Sequence, residues 1–396
     1  MKYNFDELID RRGTNSSKWD GPPLFEAKLG AKTYWNDETI PMFHSDLDFA
    51  CAPAIIEALH RVADRRIFGY TSHLWEPEYE RAIVSWYKRR FNTHIEPGWI
   101  QFVKGTLEAL KLAVCAFSGV GDGVIITRPV YGAFNGVITS TGRQIVNCPL
   151  VRYPDGSYSM DWEAFERICA EPVNKVFLLC SPANPTGTIW GAEELSRMAE
   201  ICRNHSVLLI SDEVHSDLLR AGRSFTTIIN AAADISNIIM VTSISKTFNL
   251  AGLAVANVII PDKRLLGIYK KRAGFGKPSP FDIAALIAAY NDSEEWLDAV
   301  NIYLDECIDF SVDYIRRFIP GVFLRRPDAT YFLWLDFAGC GLPPGEIHDR
   351  IYRRANVMLQ DGEVHDPENG KYFQRLAVTS PKSVIRTALE RIAAEF

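Results

Sequence analysis

The chain has 396 residues, 47% hydrophobic and 23% charged, with a formal net charge of -6, which excludes a disordered or fibrous protein and allows more than one core. With no basic block and an acidic balance it does not read as a nucleic-acid binder. The polar start "MKYNFDELIDRRGTNSSKWD", the lack of any apolar segment long enough to span a bilayer, and eight cysteines without a CxxC pair predict a cytoplasmic chain with reduced thiols and no membrane partner.

From about residue 50 to 285, short apolar runs alternate with amphipathic stretches. "WIQFV", "GVIIT", "KVFLLC", "SVLLI", "IIMVT" and "ANVII" are continuous rather than alternating, as strands covered on both faces should be. "LEALKLAVCAF" and "AEELSRMAEICRNH" carry apolar residues at spacings of three and four, the helical signature. The pattern predicts an α/β fold: βα units in a mostly parallel central sheet flanked by helices. From about 285 the texture changes to "IAALIAAYNDSEEWLDAVNIYLDECIDFSVDYIRRF", then "TYFLWLDF", "VMLQDG" and "SVIRTALERIAAEF", predicting a smaller α+β lobe. The expected organisation is an N-terminal segment over 1–49, a large α/β domain over 50–285 and a small C-terminal domain over 286–396.

Three of the strands run into unusual loops: "KVFLLC" into "SPANPTG", "SVLLI" into "SDEVH", and "IIMVT" into "SISK". Ligands of open α/β sheets bind beyond the carboxyl ends of the strands, so Asn184, Asp212 and Lys246 are expected in one crevice. Each has an ordinary reading: a turn residue before Pro185, a helix cap, a surface lysine. As an ordered set they match one chemical need. An amine can form a Schiff base with an aldehyde cofactor, a carboxylate can keep a pyridinium nitrogen protonated, and an amide can donate to a ring hydroxyl. Pyridoxal 5'-phosphate fits that description. Neither a GxGxxG after a strand nor a P-loop is present, and the histidines and cysteines lack metal-ligand spacing, which disfavours a dinucleotide dehydrogenase, a P-loop enzyme and a metal site.

"SPANPTG", "SDEVHSDL" and "SISKTFNLAGL" resemble the motifs of the fold-type I pyridoxal-phosphate enzymes, the aminotransferase class I/II superfamily with its aspartate aminotransferase-like fold. "IPMFHSDLDFACAPAIIEAL", "FGYTS", "RPVYGAF", "ATYFLWLDF" and "RLAVTSPKSVIRTALERI" are most similar to the MalY/PatB-type cystathionine β-lyases, a group of C-S lyases. The resemblance implies that Lys246 carries the cofactor and acts as catalytic base. It implies that Tyr131 stacks on the ring, that His215 lies by the ring hydroxyl, and that Ser243 contacts the phosphate. The turn "FVKGTLEAL" places Gly105 and Thr106 at a helix start suited to the same phosphate. Tyr70 matches a tyrosine that reaches the phosphate of a neighbouring subunit, implying a homodimer joined partly through the N-terminal segment. Arg375 matches the arginine that grips the carboxylate of an amino acid substrate, and Ser45 lies in the segment expected to face that substrate.

The implied reaction is α,β-elimination from an S-substituted cysteine. The same motifs also suit an aminotransferase, and a regulatory binding protein on this scaffold is a third reading. The chain departs from the resembling lyases at "MFHS" in place of "MWVA" and at "VKGTLEAL" in place of "TPGVVPAL". Ala254 stands where many aminotransferases have a second phosphate-binding arginine.

Overall fold

The six apolar runs each become a strand of one sheet. The computed structural model describes residues 2–23, 34–274 and 276–396; residues 24–33 of the expected N-terminal segment lie outside the described residues. Its strands are β1 (Ile100–Lys104), β2 (Gly123–Ile126), β3 (Gln144–Asn147), β4 (Asn174–Cys180), β5 (Leu208–Asp212), β6 (Ile238–Ser243) and β7 (Val255–Ile259). They lie in the order β1-β7-β6-β5-β4-β2-β3. Only β7 runs against the others. The unanticipated strand is β3: as an edge strand with the sequence "QIVN" and partial burial, it lacks the continuous apolar run that marks a strand covered on both faces.

Successive side chains of these strands feed two different cores. Phe177, Leu179, Leu209, Ile238 and Met240 enter one, and Val176, Leu178, Ile210, Ile239 and Val241 the other. Full burial of each such side chain is worth roughly 1.5–3 kcal/mol, so a slip of one residue in register would expose neither face and disrupt both. Helix α1 (Thr106–Phe117) follows β1 and turns Ala109, Leu110, Ala113 and Val114 inward. The turn into it requires φ +95° at Gly105, where a side chain would be strained.

The helical stretch expected over 283–318 is two helices, α2 (Pro280–Asp292) and α3 (Glu294–Phe318). They part at Ser293, whose hydroxyl donates to the Ala288 carbonyl at 2.9 Å and closes α2. Beyond α3 lies a three-stranded antiparallel sheet of β8 (Phe332–Asp336), β9 (Gln360–Asp361) and β10 (Phe373–Ala377), with β10 central. Its register sets Arg375 between Trp334 and Gln360.

The N-terminal segment laces onto this second sheet. Ile40–Pro41 pairs in parallel with Val357–Met358, and the Met42 carbonyl accepts the Ala377 N–H at 2.7 Å. Below it, the fully buried Lys18 ammonium donates to Asp48 (2.7 Å), Thr379 (3.0 Å) and Ser380 (3.3 Å). Such a charge is tolerable inside a protein only when all its donors are occupied. Among the described residues no helix is long and apolar enough to cross a membrane.

Candidate active site

The carboxyl ends of β4, β5 and β6 deliver the three residues singled out in their loops. Asn184, Asp212 and Lys246 line one cavity of about 350 Å³ together with Ser45, Gly105, Thr106, Tyr131, His215 and Ser243. Arg375 joins through Asn184, whose Oδ1 accepts from the guanidinium at 2.9 Å; the Asn184 amide is thereby oriented with its NH2 left to donate. Tyr70 is the exception. It is 91% exposed, has the Lys277 ammonium 5.1 Å over its ring, and does not line the cavity of its own chain.

Lys246 sits in the single turn Ile244–Thr247 that follows β6. The turn is pinned by Ser243, whose Oγ accepts the Ser245 N–H at 3.0 Å and donates to the Val255 carbonyl at 2.6 Å. With Ser243 so engaged, the neighbouring hydroxyl that also lines the cavity belongs to Ser245. Lys246 Nζ itself donates to Ser45 Oγ at 2.6 Å. Burial lowers the pKa of this amine and the Arg375 charge lowers it further, against the opposing pull of Asp46 and Asp212.

Asp212 is buried with a single N–H, that of Val214 at 3.4 Å, against its carboxylate. Burial pushes its pKa up to about 7, with Val214 and Lys246 resisting. Burial likewise pushes His215 down to about 3, reinforced by Lys246 and Arg375, so the imidazole is neutral. Its ring lies edge-on to Tyr331 and Phe332, 5.7 Å from each, and its Nδ1 has no partner among the described residues. Arg375 rests 4.0 Å over the Phe332 ring, donates to the Phe43 carbonyl at 2.8 Å, and is lowered to about 10 by its burial.

These unsatisfied groups test whether pyridoxal 5'-phosphate suits the site. A buried carboxylate with one weak donor is costly unless a cationic N–H arrives to pair with it, which a protonated pyridine nitrogen does. At the other end, the first turn of α1 presents N–H groups that the helix cannot use. The Gly105 N–H turns back to the Val103 carbonyl, so the donors there begin at Thr106. A Cβ at Gly105 would stand at ordinary contact distance, 3.9 Å, from that of Ala254, so it is the backbone angle there and not the space that calls for glycine. A carboxylate, an amide, an amine and a helix N-terminus in one buried cavity are a donor set that fits this cofactor.

Several residues of the site carry no local signal in the sequence. Tyr331 donates from its hydroxyl to the Ser45 carbonyl, and Asp46 is bonded by His44 and Arg11. Both lie in segments quoted above, "ATYFLWLDF" and "MFHSDLDF", so the resemblance could have pointed to them; the Tyr331 contact spans 286 residues and that of Asp46 with Arg11 spans 35. Val214 lines the cavity with Tyr131, and as an ordinary apolar residue it had nothing to distinguish it.

Comparison with known proteins finds similarity along nearly the whole chain. The family model for aminotransferase class I and II matches residues 38–392. Cystathionine beta-lyase PatB of Bacillus subtilis is 34% identical over 395 residues, covering 99% of both chains. Protein MalY of Escherichia coli is 31% identical, covering 96% of this chain and 95% of its own. The crystal structure of cystalysin from Treponema denticola, which contains a pyridoxal 5'-phosphate cofactor, superposes with a TM-score of 0.92 at 29% identity, covering 100% of this chain and 99% of that one.

Proposed function

We propose that this chain, which belongs to the aminotransferase class I and II family, is a pyridoxal-phosphate-dependent carbon–sulfur β-lyase that cleaves cystathionine or another S-substituted cysteine to a thiol, pyruvate and ammonia. The observation that carries the reading is the meeting of Asn184, Asp212 and Lys246 in one cavity, in a chain similar along its whole length to a cystathionine beta-lyase.

Bound there, the cofactor supplies an aldehyde carbon for an amine and a ring that accepts the electron pair left at Cα. The chain's own residues do the rest. Asp212, ionised opposite a cation, would hold the proton on the ring nitrogen, and the Asn184 NH2 would donate to the ring hydroxyl. Tyr131 would cover the ring, and the N–H groups from Thr106 onward with the Ser245 hydroxyl would hold the phosphate, Ser243 fixing the turn that presents them. Arg375, kept in place by Asn184 and Phe43, receives the substrate carboxylate through its guanidinium fork. Lys246, whose burial favours the neutral amine, takes the Cα proton as general base. With that proton on Nζ, the electron pair left at Cα forms the Cα=Cβ double bond as the Cβ–S bond breaks and sulfur leaves with its own pair as a thiolate.

The assembly we propose is a homodimer in which the partner subunit's Tyr70 reaches this phosphate. Ile67, Phe68, Tyr70, Leu74 and Trp75 are all exposed, a density of apolar surface that marks an interface. A sedimentation measurement giving the mass of one chain refutes this. We further read 1–49, 50–285 and 286–396 as N-terminal segment, large domain and small domain, because the seven-stranded sheet lies wholly in the second range and the three-stranded sheet in the third. Eight free cysteines support a cytoplasmic setting.

The test is incubation of the purified holoenzyme with cystathionine and S-alkyl cysteines, measuring thiol and pyruvate with and without a 2-oxo acid. Thiol release without the acceptor is expected. Amino transfer that needs the acceptor, with no thiol released, assigns the protein as an aminotransferase instead.

A further inference from the structure

Ser45 holds the one amine on which the site depends. Among the described residues its Oγ is the sole hydrogen-bond partner of Lys246 Nζ, at 2.6 Å across 201 positions of sequence. The hydroxyl is itself supported from several directions. The Ser45 carbonyl accepts from Tyr331. The preceding Phe43 carbonyl accepts from Arg375 at 2.8 Å, and the following Asp46 is bonded by Arg11. One residue further on, the Asn249 side chain brackets Leu47, accepting its N–H and donating to its carbonyl, each at 2.9 Å. Ser45 is therefore fixed by four segments distant in sequence, whereas the lysine it meets has a flexible four-carbon stem.

A neutral primary amine has two N–H bonds and one lone pair. When one N–H is committed to a fixed acceptor, rotation about the Cε–Nζ bond stops and the lone pair acquires a direction. A base gains from this because proton transfer depends on alignment as well as distance.

We propose that Ser45 is a positioning residue for Lys246: its Oγ takes one N–H of the free amine and aims the nitrogen lone pair at the carbon it attacks or the proton it removes. Ser45 neither gains nor loses a proton. The Cα proton passes to Nζ, and the resulting ammonium keeps its bond to Oγ. The identity of the substrate rests on the lyase reading above; the contact between Ser45 and Lys246 does not.

Two measurements on wild type, Ser45→Ala and Ser45→Thr decide it. First, cofactor-free protein is mixed with pyridoxal 5'-phosphate and the rate of covalent chromophore formation is followed by absorbance. Loss of the hydroxyl should slow capture about fivefold, with Ser45→Thr within about twofold of wild type. Second, in the holoenzyme kcat for thiol release should fall about tenfold in Ser45→Ala with KM little changed, and recover in Ser45→Thr. Unchanged capture and kcat in Ser45→Ala overturn the proposal. So does a raised KM at constant kcat, which assigns Ser45 to substrate binding, or equal loss in the alanine and threonine variants, which assigns it to packing. If the wild type releases no thiol from any substrate the lyase reading fails, and the capture rates still decide the role of Ser45. Should Ser45→Ala fail to show a cooperative thermal transition, Ser45→Cys takes its place in both arms.

Discussion

Two regions meet at Lys246, and they are built on opposite electrostatic plans. On the floor of the cavity, the ends of β4, β5 and β6 hold groups that burial has pushed toward neutrality: Asp212 is raised to about 7 and Lys246 is lowered. Across the cavity, the loop around Ser45 has its polar groups paired with side chains from distant segments. Burial of Asp46 favours its protonated form, but its bond with His44 and the charges of His44, Lys18 and Arg11 outweigh that and hold the carboxyl below its usual range. The floor awaits a ligand that completes its pairing, whereas the loop is already complete and serves as a rigid wall. If the floor pairs the cofactor and the wall aims the lysine, as we propose, substitutions in each should fail differently.

The largest effect belongs to the floor. Lys246→Ala should lose the covalent chromophore altogether and reduce thiol release by about 10³-fold or more, seen by absorbance and single-turnover assay. Arg375 couples the two regions, because it bonds both Asn184 and Phe43. Truncating a buried, hydrogen-bonded charge costs ~2–5 kcal/mol, so Arg375→Ala should raise KM at least about 30-fold with the chromophore retained. A normal KM would separate the arginine from substrate binding.

Asp212→Asn sharpens the contrast through pH. In the cofactor-free protein the native carboxyl titrates near 7 while its ordinary value is 3.8. Between those values the native state holds a proton that the unfolded chain has lost, so wild-type stability falls as pH rises through the window. The amide does not titrate. The stability of Asp212→Asn relative to wild type should therefore climb by ~1.4 kcal/mol per pH unit across the window and level off above it. Urea unfolding at the two ends of the window measures this, and a constant difference refutes the buried-carboxylate account. The smallest effect is expected from the wall. Arg11→Ala removes charge-assisted bonds to Asp46 and Asp48, each worth about 1.5–3 kcal/mol at most, and should lower the thermal midpoint while leaving the chromophore spectrum unchanged.

The same contrast explains what could be read from the sequence. Asn184, Asp212 and Lys246 each lie at or just past the end of an apolar run, so strand periodicity together with the rule that ligands gather at the carboxyl ends of strands is enough to bring them to one place. The edge strand Gln144–Asn147 escaped because its exposure removed the apolar run. The helix break at Ser293 escaped because apolar spacing continues across it. Tyr331, Asp46 and the Ser45 hydroxyl acquire their roles only from contacts such as Tyr331 to Ser45, 286 residues apart, which no local pattern records. Tyr70 is a further case: its motif marks it, yet it is exposed in its own chain, and its role belongs to the dimer we propose.

The central claim is that one amine, placed by β6 and the turn after it, carries the cofactor. Reduction of the holoenzyme with borohydride, followed by proteolysis and mass spectrometry, tests it directly. The account predicts a pyridoxyl adduct on the peptide containing Lys246 and no adduct elsewhere in the chain; an adduct on a different lysine, with the Lys246 peptide unmodified, contradicts it.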